Sequence, residues 1–309
     1  MGLSQSVFQF MVLRALQGIF TGTVTASMSF VSANTPENRI SYALGLMTSS
    51  NFLGYSIGPF IGGMIAELLG YRICFAIGGG LMTVGFLLVV FLVKEDKNTY
   101  GYRIRSEEES KGKRIQVLSP FIMIVLLSLL FQRISRSVFV PFIPLYVQET
   151  LGTMVGATTY TGIISGATGF ATALAALTIT RLGDQHDKVK LAFKLTLLAV
   201  PVTVLLIFFR SLLGFSMVFT IYFFLAGGTE PILTSAASER TPPAMRGVLF
   251  GLLCTVSSLG AMVAPMIGSS ISVGFGLRAI LITIPLFTVS QLICLNKSRK
   301  LGQIDNKKE

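Results

Sequence analysis

Long stretches without a charged residue alternate with short turns that hold the Lys, Arg, Asp and Glu. Each stretch is close to the roughly 20 residues an α-helix needs to cross a bilayer. The pattern predicts nine spans, at about 7–33, 42–66, 74–93, 119–147, 160–182, 190–209, 212–237, 247–272 and 279–296. One long polar segment, Lys94 to Gln116, mixes basic and acidic residues with little hydrophobicity and reads as a linker between two bundles. The expected architecture is an all-α polytopic membrane protein. It has a partial N-terminal bundle over 1–93, a central loop over 94–118, a six-helix bundle over 119–296 and a tail over 297–309.

An internal repeat runs through the pattern. Pro59 and Pro265 lie 206 residues apart, and the same offset relates Gly22 to Gly228, Gly45 to Gly251, Gly54 to Gly260, Gly62 to Gly268, Gly70 to Gly276 and Arg72 to Arg278. Thr35-Pro36 and Thr241-Pro242 keep it too. A shared offset at so many positions marks two homologous halves, here two helical bundles about an axis normal to the membrane. Gly54, Gly58 and Gly62 recur every fourth residue and stack on one helix face, where a neighbouring backbone can approach closely. Pro59 removes a backbone donor beside them and bends the helix. Gly260, Pro265 and Gly268 form the second copy.

The second bundle begins near Ser119, so the repeat places the equivalent start roughly 87 residues before Met1, a length of about three helices. The chain therefore reads as three helices of one bundle and six of the next: a truncated product, a mis-assigned start or a remnant gene. Met1 opens almost directly into a span, with neither a basic leader nor a small-residue cleavage site, so no signal peptide is expected.

Composition agrees with a membrane location. Charged residues are 13% and mean hydropathy is +0.72, against roughly 25% charge in soluble domains. The net charge of +11 is a matter of topology. Nineteen of the 25 Lys and Arg fall on one side of the predicted spans and three on the other, Arg72, Arg210 and Arg278. The positive-inside rule then makes the 94–118 loop and the C-terminus cytoplasmic. The basic residues form no compact patch, so nucleic acid is not an expected partner. Cys74, Cys254 and Cys294 sit in apolar runs without metal-ligand spacing and read as small packed hydrophobes. No hydrolase, kinase, dinucleotide or metal constellation is present, and neither a cofactor nor an enzyme activity is expected.

Charges inside spans are costly and mark function by default. Arg14 lies in Arg14-Ala-Leu-Gln17-Gly18, with Gly22 a turn further on; it either couples to transport or snorkels to the headgroups. Gln132, Arg133 and Arg136 fall mid-span, with Pro141 and Pro144 breaking the outer half beyond them. They either line a substrate cavity or form a structural pair bonded to neighbouring carbonyls. Glu230, in Gly227-Gly-Thr-Glu230-Pro231, is the one acid well inside a span. It either exchanges protons, as a partly desolvated carboxylate can near neutral pH, or pairs with an in-span arginine.

With these residues in view the chain resembles the major facilitator superfamily, and within it the twelve-helix drug:proton antiporters close to bacterial multidrug efflux pumps. Gly54-xxx-Gly58-Pro59-xx-Gly62-Gly63 is similar to the antiporter signature of the family's fifth helix, and Arg14-xx-Gln17-Gly18 to its fourth-helix motif, whose arginine the family implicates in proton coupling. Arg181 to Lys190, with Asp184 as its acid and Lys188 beyond, resembles a degenerate copy of the cytoplasmic loop motif, Asp187 standing near the usual glycine. Nothing in the chain matches helices one to three of the family.

The resemblance implies a secondary transporter working by alternating access: proton-coupled efflux of drugs or other small amphipathic molecules across the plasma membrane of a bacterium, as a monomer in the lipid bilayer. The partners it implies are protons and a small-molecule substrate. Alternatives are a non-transporting remnant or membrane partner subunit, or a carrier for a sugar, lipid or metabolite. Three in-span arginines against one interior acid depart from pumps for cations. Either acids lie outside this chain, the reading preferred from sequence, or the substrate is anionic or zwitterionic.

Overall fold

A computed structural model describes residues 2–19, 27, 31, 40–92, 119–154, 156–185, 187–241 and 246–305, and no strand occurs among them. The helices in chain order are α1 (Val7–Ile19), α2 (Ile40–Leu69), α3 (Tyr71–Leu92), α4 (Pro120–Ser137), α5 (Ile143–Leu151), α6 (Ala157–Gln185), α7 (Lys188–Phe208), α8 (Leu212–Gly227), α9 (Thr229–Glu239), α10 (Arg246–Phe275) and α11 (Ile280–Asp305). Eight of the nine predicted spans correspond to these, α4 with α5 and α8 with α9 each making one; of the first, 7–33, α1 covers the opening half, and beyond Ile19 only residues 27 and 31 are described. By length and composition, six spans among the described residues are sufficient to cross a membrane: Tyr71–Leu92, Pro120–Leu151, Lys188–Phe208, Leu212–Glu239, Val248–Phe275 and Leu277–Arg299. Val7–Ile19 and Ile57–Leu69 are apolar but shorter. The last helix runs beyond the predicted span end at 296, to Asp305. Gly22, Thr35, Pro36, Arg39, the 94–118 loop, His186, Pro242 and residues 306–309 lie outside the described residues.

The repeat is visible in the backbone. α2 and α10 are both 30 residues long, each with its proline inside. Each ends at a left-handed glycine, Gly70 at φ +83° and Gly276 at φ +85°. The N–H of each glycine donates to the carbonyl four residues back, Ala66 and Ser272, at 3.0 Å. Glycine takes this conformation without steric cost, so it closes both helices in the same way.

The chain divides into two compact units, Met1–Arg105 with Thr158–Gly166, and Ser106–Ala157 with Ala167–Glu309. In the first, Phe10 of α1 meets Phe75 of α3 edge-on at 6.1 Å. The Cys74 thiol donates to the Gly62 carbonyl at 3.6 Å. The opening turns of α6 cross α2 at Gly63: a Cβ placed there would stand 2.9 Å from the Thr158 oxygen and 3.1 Å from the Gly162 Cα. Glu67 then accepts from the Thr159 hydroxyl at 2.7 Å and from its N–H at 2.9 Å. Gly54 and Gly58 have open space where a Cβ would be, and Gly62 has only an ordinary contact.

In the second unit, apolar residues recur along α4 at the three- and four-residue spacing of one helix face, Phe121, Ile122, Val125, Leu126 and Leu129. They pack with Ala175 and Ile179 of α6, Val189 and Ala192 of α7, Ile232, Leu233, Ala236 and Ala237 of α9, Leu249 of α10 and Leu295 of α11. Between apolar helices in lipid, such contacts stabilise by close packing and dispersion. The reading of all three cysteines as packed hydrophobes needs correcting: Cys294 is buried, but Cys254 points outward from α10.

Candidate functional site

The site is built around the last turns of α4. Ser119 caps that helix, its hydroxyl accepting from the Ile122 N–H at 3.3 Å, and Pro120 occupies the first turn, where its missing donor is harmless. α4 stops at Ser137 and gives way to a 3₁₀ turn, Val140–Phe142, before α5. Pro141 and Pro144 cannot donate to the preceding turn, which accounts for the break. The polar residues of α4 face inward beside its apolar ones. The Ser135 hydroxyl joins the Tyr222 hydroxyl at 2.7 Å, the Thr288 hydroxyl at 2.9 Å and the Ile284 carbonyl at 3.0 Å.

A second break supplies the acid. Pro231 lacks an N–H for the turn before it, so α8 ends at Gly227 and α9 restarts at Thr229, with Glu230 in its first turn. Gln132 donates to the Ala226 carbonyl at 2.7 Å and to the Thr229 hydroxyl, tying α4 to this break. A Cβ on Gly227 would stand 2.9 Å from the Thr172 Cα, and one on Gly228 would stand 2.7 Å from Ile179. The two glycines thus let α6 lie against the break, which carries Thr172 to Arg136.

Arg136 is held from three directions. Its Nη1 donates to Glu230 Oε2 at 3.5 Å and its Nη2 to the Thr172 hydroxyl at 3.2 Å. Its Cζ lies 5.0 Å from the centre of the Phe223 ring, a cation–π contact. The partners are unequal in access, the Arg136 side chain being 13% exposed and that of Glu230 44%. The open partner is therefore the carboxylate. Beside the pair is a cavity of about 40 Å³ whose polar lining is Gln132, Arg133, Arg136, Glu230, Thr234 and Ser257. So Gln132, Arg133, Arg136 and Glu230, separate candidates in the sequence, meet in one place. Thr172, Thr234 and Ser257 join them without any sequence signal beyond being polar residues in apolar helices.

The Major Facilitator Superfamily profile matches residues 1–265.

The chain belongs to that superfamily.

It is accordingly a multi-pass membrane transporter of small molecules and not an enzyme. Within the Major Facilitator Superfamily it is similar to "Multidrug resistance protein MdtG" of Salmonella arizonae, with 25% identity covering 91% of this chain and 69% of that protein. Against the protein of the same name from Escherichia coli the identity is 26%, covering 99% of this chain and 76% of the relative. A solved structure of a bacterial homologue of the human lysosomal transporter Spinster, in an inward-facing and occupied conformation, superposes with a TM-score of 0.68 at 14% identity. It covers 89% of this chain and 73% of that one, a likeness of fold.

The other superfamily-motif residues belong to α1, α2 and the turn between α6 and α7. Arg14 Nη1 donates to Gln17 Oε1 at 2.9 Å on α1, and the arginine lies 5.8 Å from the Phe10 ring centre, so the motif's two polar residues engage each other. A Cβ on Gly18 would meet nothing within 4 Å. In the loop motif, the side chains of Arg181 and Asp184 fall outside the described residues. Lys188 donates to Ser235 at 2.8 Å and pairs with Glu239, joining the start of α7 to the end of α9. Asp187 caps α7, accepting from the Val189 and Lys190 N–H groups at 3.1 Å each. Partial burial pushes its carboxyl up, but the N–H and ammonium of Lys190 and the N–H of Val189 outweigh that and hold it below the usual carboxylate range. An acid among the basic residues of this turn is expected to bond a helix end, and Asp187 is the acid that does so here. An Asp directly before an apolar helix was the signal for a cap.

Proposed function

We propose that this chain is an exporter driven by proton entry, carrying small amphipathic molecules by alternating access. The observation that carries the reading is the Arg136–Glu230 pair, whose open partner can take up a proton while its buried partner cannot lose one. Protonating Glu230 removes its charge and frees Arg136 from it, leaving the guanidinium to Thr172, the Phe223 ring and whatever solute occupies the cavity. Proton uptake by the carboxylate and solute binding are thereby linked through one arginine. The names of the relatives support a drug-like solute, and the Lys and Arg asymmetry supports a cytoplasmic C-terminus and central loop in the plasma membrane of a bacterium. The chain would act as a monomer, with Arg14 and Gln17 as a further coupling element and Gly63 of α2 at the close crossing with α6.

Proteoliposomes holding the full chain, given an imposed pH gradient and a panel of fluorescent amphiphiles, test this. Gradient-driven accumulation that Glu230→Gln abolishes is expected. Inserted, folded protein that moves no solute in either direction of gradient would sink the proposal.

A further inference from the structure

Three charged side chains line the cavity in the second unit: Arg133, Arg136 and Glu230. Arg136 and Glu230 neutralise each other at 3.5 Å. Arg133 is left over. Among the described residues it has neither an ion pair nor a hydrogen bond, and its Nε is buried without a partner. Its direction is set by packing, because Gly260 of α10 lies against its stem: a Cβ on that glycine would stand 2.8 Å from the Arg133 Cβ and 2.9 Å from its Cγ. Ser257, one turn before Gly260 on α10, lines the same cavity, and Leu129 and Leu253 supply apolar wall. α4 and α5 form one span from Pro120 to Leu151, and Arg133 falls near its middle. An unpaired guanidinium in a small cavity within a span is expensive until an anion neutralises it.

We propose that Arg133 forms an anion subsite, which takes a carboxylate or phosphate-type head group of the solute, the cavity of about 40 Å³ having room for that group alone. This rests on the reading of the cavity as the solute site and narrows the solute to anionic or zwitterionic amphiphiles. It departs from the sequence-based preference for acids supplied from elsewhere. Inside this unit Arg136 already has its acid, so one positive charge, and not two, remains to be met. A guanidinium presents two parallel N–H donors to two oxygens of a carboxylate or phosphate group, so the geometry favours these over halide-like anions.

The test is binding to the full chain in nanodiscs of zwitterionic lipid, by equilibrium dialysis. The probes are benzoate and phenylphosphonate, with benzylamine as the cation of similar size. The anions should bind at least about tenfold more tightly than benzylamine, and Arg133→Gln should weaken them about tenfold or more. Arg133→Lys should keep part of the binding. Glu230→Gln, which adds one positive charge to the lining, should tighten the anions, so the proposal also stands on a variant that leaves Arg133 in place. Equal binding of benzylamine, unchanged anion binding by correctly folded Arg133→Gln, or weaker anion binding by Glu230→Gln would each overturn it. Adding phosphatidylglycerol to the discs separates the sources of the anion. Undiminished benzoate binding assigns the subsite to a soluble solute, and displacement overturns that in favour of a lipid headgroup. Dialysis needs no transport, so the two readings fail separately. Export without anion preference defeats only the subsite, whereas Arg133-dependent anion binding without export defeats only the transport reading.

Discussion

Gly260 and Arg133 meet so closely that any side chain on the glycine would overlap the stem of the arginine, at 2.8 Å from Cβ to Cβ. Their counterpart in the first half, Gly54, has open space at the same position of the repeat. Gly260→Ala should therefore displace the Arg133 head and lower solute flux in proteoliposomes by about tenfold or more, the loss expected when a charged hydrogen bond is misplaced. Gly54→Ala should insert and transport as the parent does, and gain slightly in helix stability, by up to about 1 kcal/mol.

The α2 crossing gives a stability contrast that needs no transport assay. A methyl at Gly63 would press on the backbone of Thr158 and Gly162, which cannot swing aside, whereas one at Gly58 would meet nothing within 4 Å. Overpacking of this kind costs about 1–3 kcal/mol. Gly63→Ala should lower the melting temperature in detergent by several degrees while Gly58→Ala leaves it nearly unchanged. Equal melting of the two variants would remove the crossing from the account.

Arg136 uses two different nitrogens, one on Glu230 and one on Thr172. Lysine has a single ammonium and cannot span both. Arg136→Lys should therefore impair gradient-driven flux almost as much as Arg136→Gln, and Thr172→Val should cost only about fivefold, the worth of one hydrogen bond. Full activity of the lysine variant would mean that charge alone suffices.

Asp187 sets a pH dependence away from the cavity. Its carboxyl is held low in the folded protein, so its contribution is complete above the ordinary carboxylate value and is lost as pH falls through the lower folded value. Removing the cap by Asp187→Ala should cost about 1 kcal/mol at neutral pH, less whatever solvent screens from the half-exposed ion pair with Lys190. The melting gap between parent and variant should be open at pH 7 and close as the pH drops below about 4.

Much of the fold is written in local pattern. The offset that relates Pro59 to Pro265 also relates the ends of α2 to those of α10 and the left-handed Gly70 to Gly276. Length and apolarity sufficed for most of the spans. The broken outer half of α4 followed from Pro141 and Pro144. The site was legible as a set of costly residues and illegible as an arrangement: Arg136 and Glu230 lie 94 positions apart, and no periodicity relates residues on different helices. The glycines show the same limit. Spacing of four identifies a face without naming what touches it, and the close contact of α2 fell to Gly63, beside the predicted row.

Because α4 breaks after Ser137, its outer continuation is not a rod, and displacement cannot pass along it through hydrogen-bonded turns. Rings bridge the gap. Tyr146 of α5 touches Phe139 and Phe215. Both of those touch Phe219, and Phe219 touches Phe223. Phe223 in turn lies under the Arg136 guanidinium. A close-packed row of rings shares its contacts from end to end, so a change of packing at the outer end of the bundle is felt at the arginine, and one at the arginine is felt at the outer end.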